Sequence, residues 1–233
     1  MSASGRRQAE TRALLAAVTD AGYLLQVRFP GLGVAGALWN RLRYGRLSAG
    51  YARAVARDPA YLAPLEVLLT GLGPVEGVIV ESGAGTGTAT ARLLEASPGA
   101  AVVAVDRSAA MLSFMEKRSG RVVRVVGDAF RLPVARDVAA LAISHNAPCS
   151  LVELARVTRR GGHVALVLSA AGRLPARFCT WVLRARPADL VPVRTVSAGH
   201  GRAWLFRKSE ASAAGLRRSA RPPRGRGAAA GAG

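Results

Sequence analysis

Three carboxylates and a run of glycines are the residues whose spacing could carry chemistry. Glu81-Ser82-Gly83-Ala84-Gly85-Thr86-Gly87-Thr88 follows the apolar triplet Val78-Ile79-Val80. Glycine permits positive φ and lets backbone approach a ligand without a Cβ in the way. A strand ending at Glu81 and a helix starting near Thr86 would put unpaired N–H groups just beyond the turn. That is the layout of a nucleotide-type site at the carboxyl end of a parallel strand. The next apolar run, residues 101–105, ends in Asp106, 19 residues after Gly87. A carboxylate there can accept two hydrogen bonds from a ribose diol. Asp106 or Ser108 can also cap the following helix. The third acid, Asp128, lies in Val126-Gly127-Asp128-Ala129, ahead of Leu132-Pro133. Taken alone, it reads as a solvated turn residue.

The spacing discriminates among nucleotides. A dinucleotide fingerprint needs glycine at its first, third and sixth positions. Here Gly83 and Gly85 fit, but the sixth position is Thr88. A P-loop needs Gly-Lys-Ser/Thr, which does not follow. The segment resembles motif I of the class I S-adenosylmethionine (SAM)-dependent methyltransferases, an acid followed by G-x-G-x-G. Glu81, the glycines, Asp106 and Asp128 occur in the family's order, each at the end of an expected strand. The resemblance implies SAM as cofactor. It marks Glu81, Gly83, Ala84, Gly85, Asp106, Arg107, Asp128, Ala129 and Asn146 as cofactor-binding, with Asp106 on the ribose hydroxyls and Asp128 on the adenine amino group. Met111-Leu112 would pack near the adenine. The likeness spans residues 75–208, including Asp137 before strand four and Glu153-Leu154-Ala155-Arg156-Val157 leading to Gly161-Gly162. Two departures stand out: the short connection from His145 to Leu151, and serine at position 82, where relatives carry an aliphatic residue.

The same resemblance places the reactive methyl beside Ser144-His145-Asn146-Ala147-Pro148-Cys149. His145 and Asn146 are the candidate catalytic residues. His145 could be a general base, because its unperturbed pKa suits neutral pH, or a strand-end histidine with a structural hydrogen bond. Asn146-Ala147-Pro148-Cys149 lacks the first proline and the aromatic of the Asn-Pro-Pro-aromatic motif of amino-group methyltransferases, so that chemistry is not assigned. His163, His200 and Cys149 read as structural. Methyl transfer is a displacement at an already activated carbon and mainly needs alignment, so the lack of a catalytic dyad does not argue against it.

These residues need a scaffold that sets strand ends side by side. Apolar runs at 78–80, 102–105, 122–126, 138–143 and 164–168 alternate with helical stretches at 86–97, 108–118 and 150–159. Such runs suit strands buried on both faces, and the alternation implies a parallel sheet. Residues 191–196 and 203–206 flank Ala198-Gly199-His200-Gly201 and predict a hairpin. The expected fold is α/β, a Rossmann-like, doubly wound sheet of seven strands, mostly parallel with an antiparallel last strand, plus N-terminal helices. One helix is predicted from Asp58-Pro59, with Leu62, Leu65, Leu69 and Leu72 on its buried face and Pro64 kinking it. Another begins near Ser48. The expected divisions are a disordered start at 1–10, a helical lid at 11–73, the SAM-binding methyltransferase domain at 74–208 and a disordered basic tail at 209–233.

Composition sets outer limits. The net charge is +19, carried almost wholly by arginine, since Lys117 and Lys208 are the only lysines. Arg207 to the end holds seven basic residues and one acid, Glu210, which suits non-specific nucleic-acid contact through the tail. The arginines among Trp39, Tyr44 and Tyr51 read as a solvated helix face. No membrane partner is expected, because no uncharged apolar stretch reaches 18 residues. No secretory signal is recognisable. Two cysteines without metal-type spacing imply neither a disulfide framework nor a metal, and suit the cytoplasm. The expected function is methyl transfer from SAM to a small-molecule acceptor. An RNA methyltransferase and a non-enzymatic SAM-fold binding protein are the alternatives. Acceptor identity and oligomeric state are not encoded legibly.

Overall fold

The computed structural model describes residues 3–32, 58, 60–115 and 120–210. The Ser48 helix, the arginine–aromatic stretch and the tail beyond 210 lie outside them. The described chain runs α1 (Ala3–Arg28), α2 (Ala63–Leu72), β1 (Gly77–Ser82), α3 (Thr88–Ala96), β2 (Ala100–Asp106), α4 (Ala109–Ser113), β3 (Val122–Val126), β4 (Ala139–His145), α5 (Leu151–Val157), β5 (Thr158–Leu168), a 3-10 turn (Ala171–Arg173), α6 (Ala176–Leu183), β6 (Leu190–Ala198) and β7 (Gly201–Lys208).

The seven strands form one sheet in the order β3-β2-β1-β4-β5-β7-β6. The first five are parallel to their neighbours. β7 enters antiparallel between β5 and β6, closing the hairpin that the sequence predicted. Strand order reverses at β1, so its carboxyl end and that of β4 border the crevice where ligands bind in such sheets. Every residue of β4 is buried, as a central parallel strand requires. One face is covered by α1, α5 and α6, through Leu24, Val27, Leu154 and Val182. The other is covered by α2, α3 and α4, through Leu65, Leu68, Leu93 and Leu112.

Two helix boundaries differ from expectation. The predicted helix from Asp58 starts instead at Ala63, with Pro64 in its first turn. There proline's missing N–H is harmless, so Pro64 opens this helix rather than kinking it. Asp58 spends its carboxylate on a local turn, accepting from the Ala60 N–H at 2.9 Å. α5 stops at Val157 rather than 159. Thr158 turns extended and pairs with Ala139, so the sheet claims the residues that helical periodicity assigned to the helix.

The chain ends differ as well. α1 begins at Ala3, within the stretch expected to be a frayed terminus. Arg, Gln, Ala and Glu are strong helix formers, and they extend a helix anchored by buried Ala17, Asp20, Tyr23, Leu24 and Val27. At the other end, the boundary set at 209 is two residues early. Ser209 N–H donates to Asp189 O at 2.7 Å, and Glu210 pairs with Arg207 at 2.9 Å.

Candidate functional site

The glycine loop bridges β1 and α3. Gly83, Gly85 and Gly87 all have positive φ, at +75°, +56° and +86°. Two of them are also held by close packing. A Cβ on Gly83 would lie 2.1 Å from the Ala147 Cβ, and one on Gly87 would lie 2.6 Å from Met115 Cγ. Gly85 has room, with only Met111 Cε at 3.5 Å, so its need for glycine is conformational. The N–H groups of Gly83 and Ala84 both donate to Val105 O, at 2.8 and 3.0 Å. The loop's amides are thus spent on the next strand. It is not a phosphate cradle, and what it offers a ligand is a bare backbone surface.

Asp106 ties this loop to the one after β2. Its Oδ2 accepts from Gly85 N–H and its Oδ1 from Ser108 N–H, each at 2.8 Å. Ser108 itself caps α4, accepting from Met111 N–H. The two capping options in the sequence therefore divide: serine caps the helix and aspartate braces the loops. Burial raises the Asp106 pKa, while the amides from Ser108 and Gly85 and the Arg107 charge oppose the rise. Each carboxylate oxygen has a second acceptor site, so one from each remains for a vicinal diol. A ribose diol, donating through both hydroxyls, fits this pair of acceptors. Arg107 and Asp128 pair with each other at 2.8 Å, both half-exposed. Asp128 also accepts from Phe130 N–H, which holds the turn carrying Ala129.

Glu81 is fully buried and accepts from the Thr90 hydroxyl of α3 at 2.5 Å. Burial pushes its carboxyl up to about 8; the Thr90 bond opposes this and the Asp106 charge adds to it. Next to it, Ser82 is buried with a hydroxyl that finds no partner, the one such side-chain atom among the described residues. An orphaned buried hydroxyl costs about 1–3 kcal/mol. Ser82→Ala is therefore expected to raise the unfolding free energy by about 1 kcal/mol, read from denaturant melts. A loss of stability would mean that the hydroxyl is satisfied.

A second cluster sits at the ends of β4 and β5. Asn146, at φ +50°, accepts from Ser169 N–H at 2.8 Å and donates to Ser169 Oγ at 2.6 Å. Ser169 Oγ donates to the Tyr61 carbonyl at 2.6 Å. His145 Nε2 lies 3.2 Å from the same carbonyl, and the two rings meet edge to face at 4.7 Å. A carbonyl only accepts, so the Tyr61 bond uses the Nε2–H tautomer, with the lone pair on Nδ1, whereas the Asn146 Nδ2 amide, 3.4 Å from the same Nε2, would pair with the other tautomer. Ser169 and Tyr61 were not singled out from the sequence. Their partners are 23 to 108 residues away in the chain, and no local motif marks them.

Burial pushes the His145 imidazole down to about 4, and the Tyr61 bond only partly offsets this. The ring is neutral at physiological pH. Because its folded pKa lies below the ordinary 6.5, this group's contribution to stability is present above pH 6.5. It is lost as pH falls from 6.5 towards 4. NMR spectra of the ring C–H signals, assigned by difference from His145→Gln, are expected to show no titration between pH 5.5 and 8. A midpoint near 6.5 would contradict the burial. Cys149 is also fully buried, its thiol pushed up to about 12, which makes it an inert core residue. His163 lies in β5, half-buried, and His200 lends its backbone carbonyl to Gly172 N–H.

Comparison with known proteins bears on the same segment. Residues 79–165 match the family model described as methyltransferase domain. That stretch runs from β1 through the glycine loop, Asp106 and Asp128 into β5. The fold is similar to that of the Burkholderia thailandensis 1,6-didemethyltoxoflavin-N1-methyltransferase, solved with bound 1,6-didemethyltoxoflavin and S-adenosylhomocysteine. The TM-score is 0.58 at 16% identity, over 76% of this chain and 90% of that one. It is also similar to a chain of the Haloferax volcanii complex between the Trm112 methyltransferase activator and a methyltransferase, with TM-score 0.56 at 14% identity, over 71% and 97%. A third likeness is to a SAM-dependent methyltransferase from Aquifex aeolicus, with TM-score 0.50 at 17% identity, over 64% and 93%. A search of curated proteins finds no match. The strand order, the loop braced by Asp106 and the matched segment agree with one another: residues 79–165 match a methyltransferase domain, and the sheet has the fold of SAM-dependent methyltransferases.

Proposed function

We propose that this methyltransferase acts on a small-molecule acceptor enclosed beneath its N-terminal segment, residues 11–73, as a lid. The observation that carries this reading is the Tyr61 carbonyl, bonded by both His145 and Ser169. It brings the N-terminal segment across the ends of β4 and β5, where an acceptor in this fold meets the cofactor. Asp20 adds a second tie, its buried carboxylate accepting from Ala170 N–H at 2.8 Å. A roofed site suits a small acceptor better than a polymer. The Burkholderia neighbour, with a small heterocycle bound, lends support by analogy of fold.

When bound, SAM supplies a methyl group on a sulfonium, already activated for displacement. In this reading Asp106 accepts from the ribose hydroxyls, and Arg107, Asp128 and Ala129 border the adenine. Gly83, Ala84 and Gly85 let the cofactor lie against bare backbone, and Glu81 and Asn146 close its amino-acid end. His145 keeps a lone pair on Nδ1, so it can accept a hydrogen bond from an O–H or N–H nucleophile. Its neutrality adds no positive charge beside the sulfonium. Buried, unpaired Cys149 and Cys179 suit a reducing cytoplasm. The test is labelled SAM offered to a metabolite extract and to total RNA in parallel. Label in a small product is expected; label in RNA alone would overturn the proposal.

A further inference from the structure

The cations at the far end of the sheet are not used by the methyl-transfer site. β5 separates the two ends. From Arg160 to Leu168 it spans about 25 Å at ~3.3 Å per residue. At its start, Arg159 and Arg160 are exposed, beside exposed Arg136 and Arg207. Of these, Arg207 packs against the Gly161 turn together with Glu210. Arg207 Nε donates to Gly161 O at 3.4 Å, and Arg160 donates to Glu210 O at 2.7 Å. Arg136 and Arg160 both lie close enough to Asp137 to lower its pKa, after the dominant Lys208 bond at 2.6 Å. The exposed cations are Arg136, Arg159, Arg160 and Arg207, above buried Lys208, and the acids at this corner are Asp137, Glu210 and Asp189, whose carbonyl accepts from Ser209 N–H. Asp137 and Glu210 are engaged by Lys208 and Arg207, and among the described residues the side chains of Arg136 and Arg159 make no hydrogen bond or ion pair. The sequence then leaves this same corner after Glu210 with Arg217, Arg218, Arg221, Arg224 and Arg226 and no further acid.

We propose that this basal arginine patch is a docking surface for the phosphodiester backbone of nucleic acid, separate from the site of methyl transfer. Arginine's planar fork matches phosphate oxygens in pairs and stacks on bases. An anionic membrane fits less well, because surface binding to lipid draws on apolar side chains that enter the bilayer. The exposed apolar side chains beside the patch are the short Val138 and Val191, and Leu216 is the one large aliphatic residue beyond it. Nucleic acid bound here is held rather than methylated, so the proposal does not depend on the identity of the acceptor.

The experiment uses the full chain and a fluorescein-labelled 20-nucleotide oligo(U), with a 20-base-pair DNA duplex as the second arm. Anisotropy is read between 50 and 200 mM KCl. With four or more phosphates neutralised, affinity for oligo(U) is expected to fall about fiftyfold over that range. The triple variant Arg136→Gln/Arg159→Gln/Arg160→Gln is expected to reduce the slope of log K against log salt by about 2. Its melting temperature and its affinity for S-adenosylhomocysteine should stay unchanged. Duplex binding with the same loss in the variant supports the surface equally. Absence of binding to either polymer at 50 mM, or an unchanged slope in a folded triple variant, would overturn the proposal. So would tighter binding to vesicles of phosphatidylglycerol than to either nucleic acid.

Discussion

Asp106→Ala is expected to weaken S-adenosylhomocysteine binding by about five- to 150-fold, the equivalent of 1–3 kcal/mol for polar groups left without their partner. The carboxylate does two jobs at once. Its inner lone pairs hold Gly85 N–H and Ser108 N–H, each at 2.8 Å, and its outer ones are available to a diol. Alanine removes both, leaving two loop amides unpaired and the ribose without its acceptor. Asp106→Asn separates these contributions. The amide oxygen can keep one backbone N–H, but its NH2 faces the other as donor against donor, so the loop loosens on one side only. Titration calorimetry of the two variants should therefore rank affinity as wild type, then Asn, then Ala. Alanine binding as tightly as wild type would remove Asp106 from the cofactor site altogether.

The parts of this site that sequence reveals are those whose physics is local. A glycine at positive φ leaves its mark at its own position, and so does an acid that must stand at a strand end. Gly83, Gly85, Asp106 and Asp128 were accordingly recognisable before any coordinates. Central strands are legible for a similar reason: β4 is buried along its whole length, and an apolar run at 139–143 fills all of it but its polar end, Ser144-His145. The hairpin of β6 and β7 was marked by Gly199 and Gly201 at its turn. Local signals failed where two local rules competed. Asp58-Pro59 signals a helix start and Pro64 reads as a kink inside that helix, whereas the helix begins at Ala63 with Pro64 in its first turn. The contact of Tyr61 with the ends of β4 and β5 was illegible for another reason. Tyr61 takes part through its backbone carbonyl, a group that every residue has, and its bonds to His145 and Ser169 join positions 84 and 108 residues apart. Asp20 reads as an interruption in an apolar helix until Ala170 N–H is found against it, 150 residues away.

Gly83→Ala should cost the fold more than any change to the acids. Two independent penalties meet at this residue. Its φ of +75° is a conformation that an L side chain resists, at about 1–3 kcal/mol. The new methyl would also stand 2.1 Å from the Ala147 Cβ, and overpacking of this kind adds about 1–3 kcal/mol. A loss of about 2–6 kcal/mol corresponds to a fall in Tm of roughly 4–24 °C for a chain of this size. Ala147 belongs to the short connection that follows His145 and Asn146 and packs directly on the glycine loop, so the loop cannot move aside without disturbing both. A double-mutant cycle separates the two penalties. Ala147→Gly in the Gly83→Ala background removes the collision and leaves the φ strain, so it should recover about 1–3 kcal/mol beyond the additive sum. Coupling below about 0.5 kcal/mol would show that the loop relaxes away from Ala147. The tight seam between cofactor loop and acceptor-side connection would then not be a constraint on this fold.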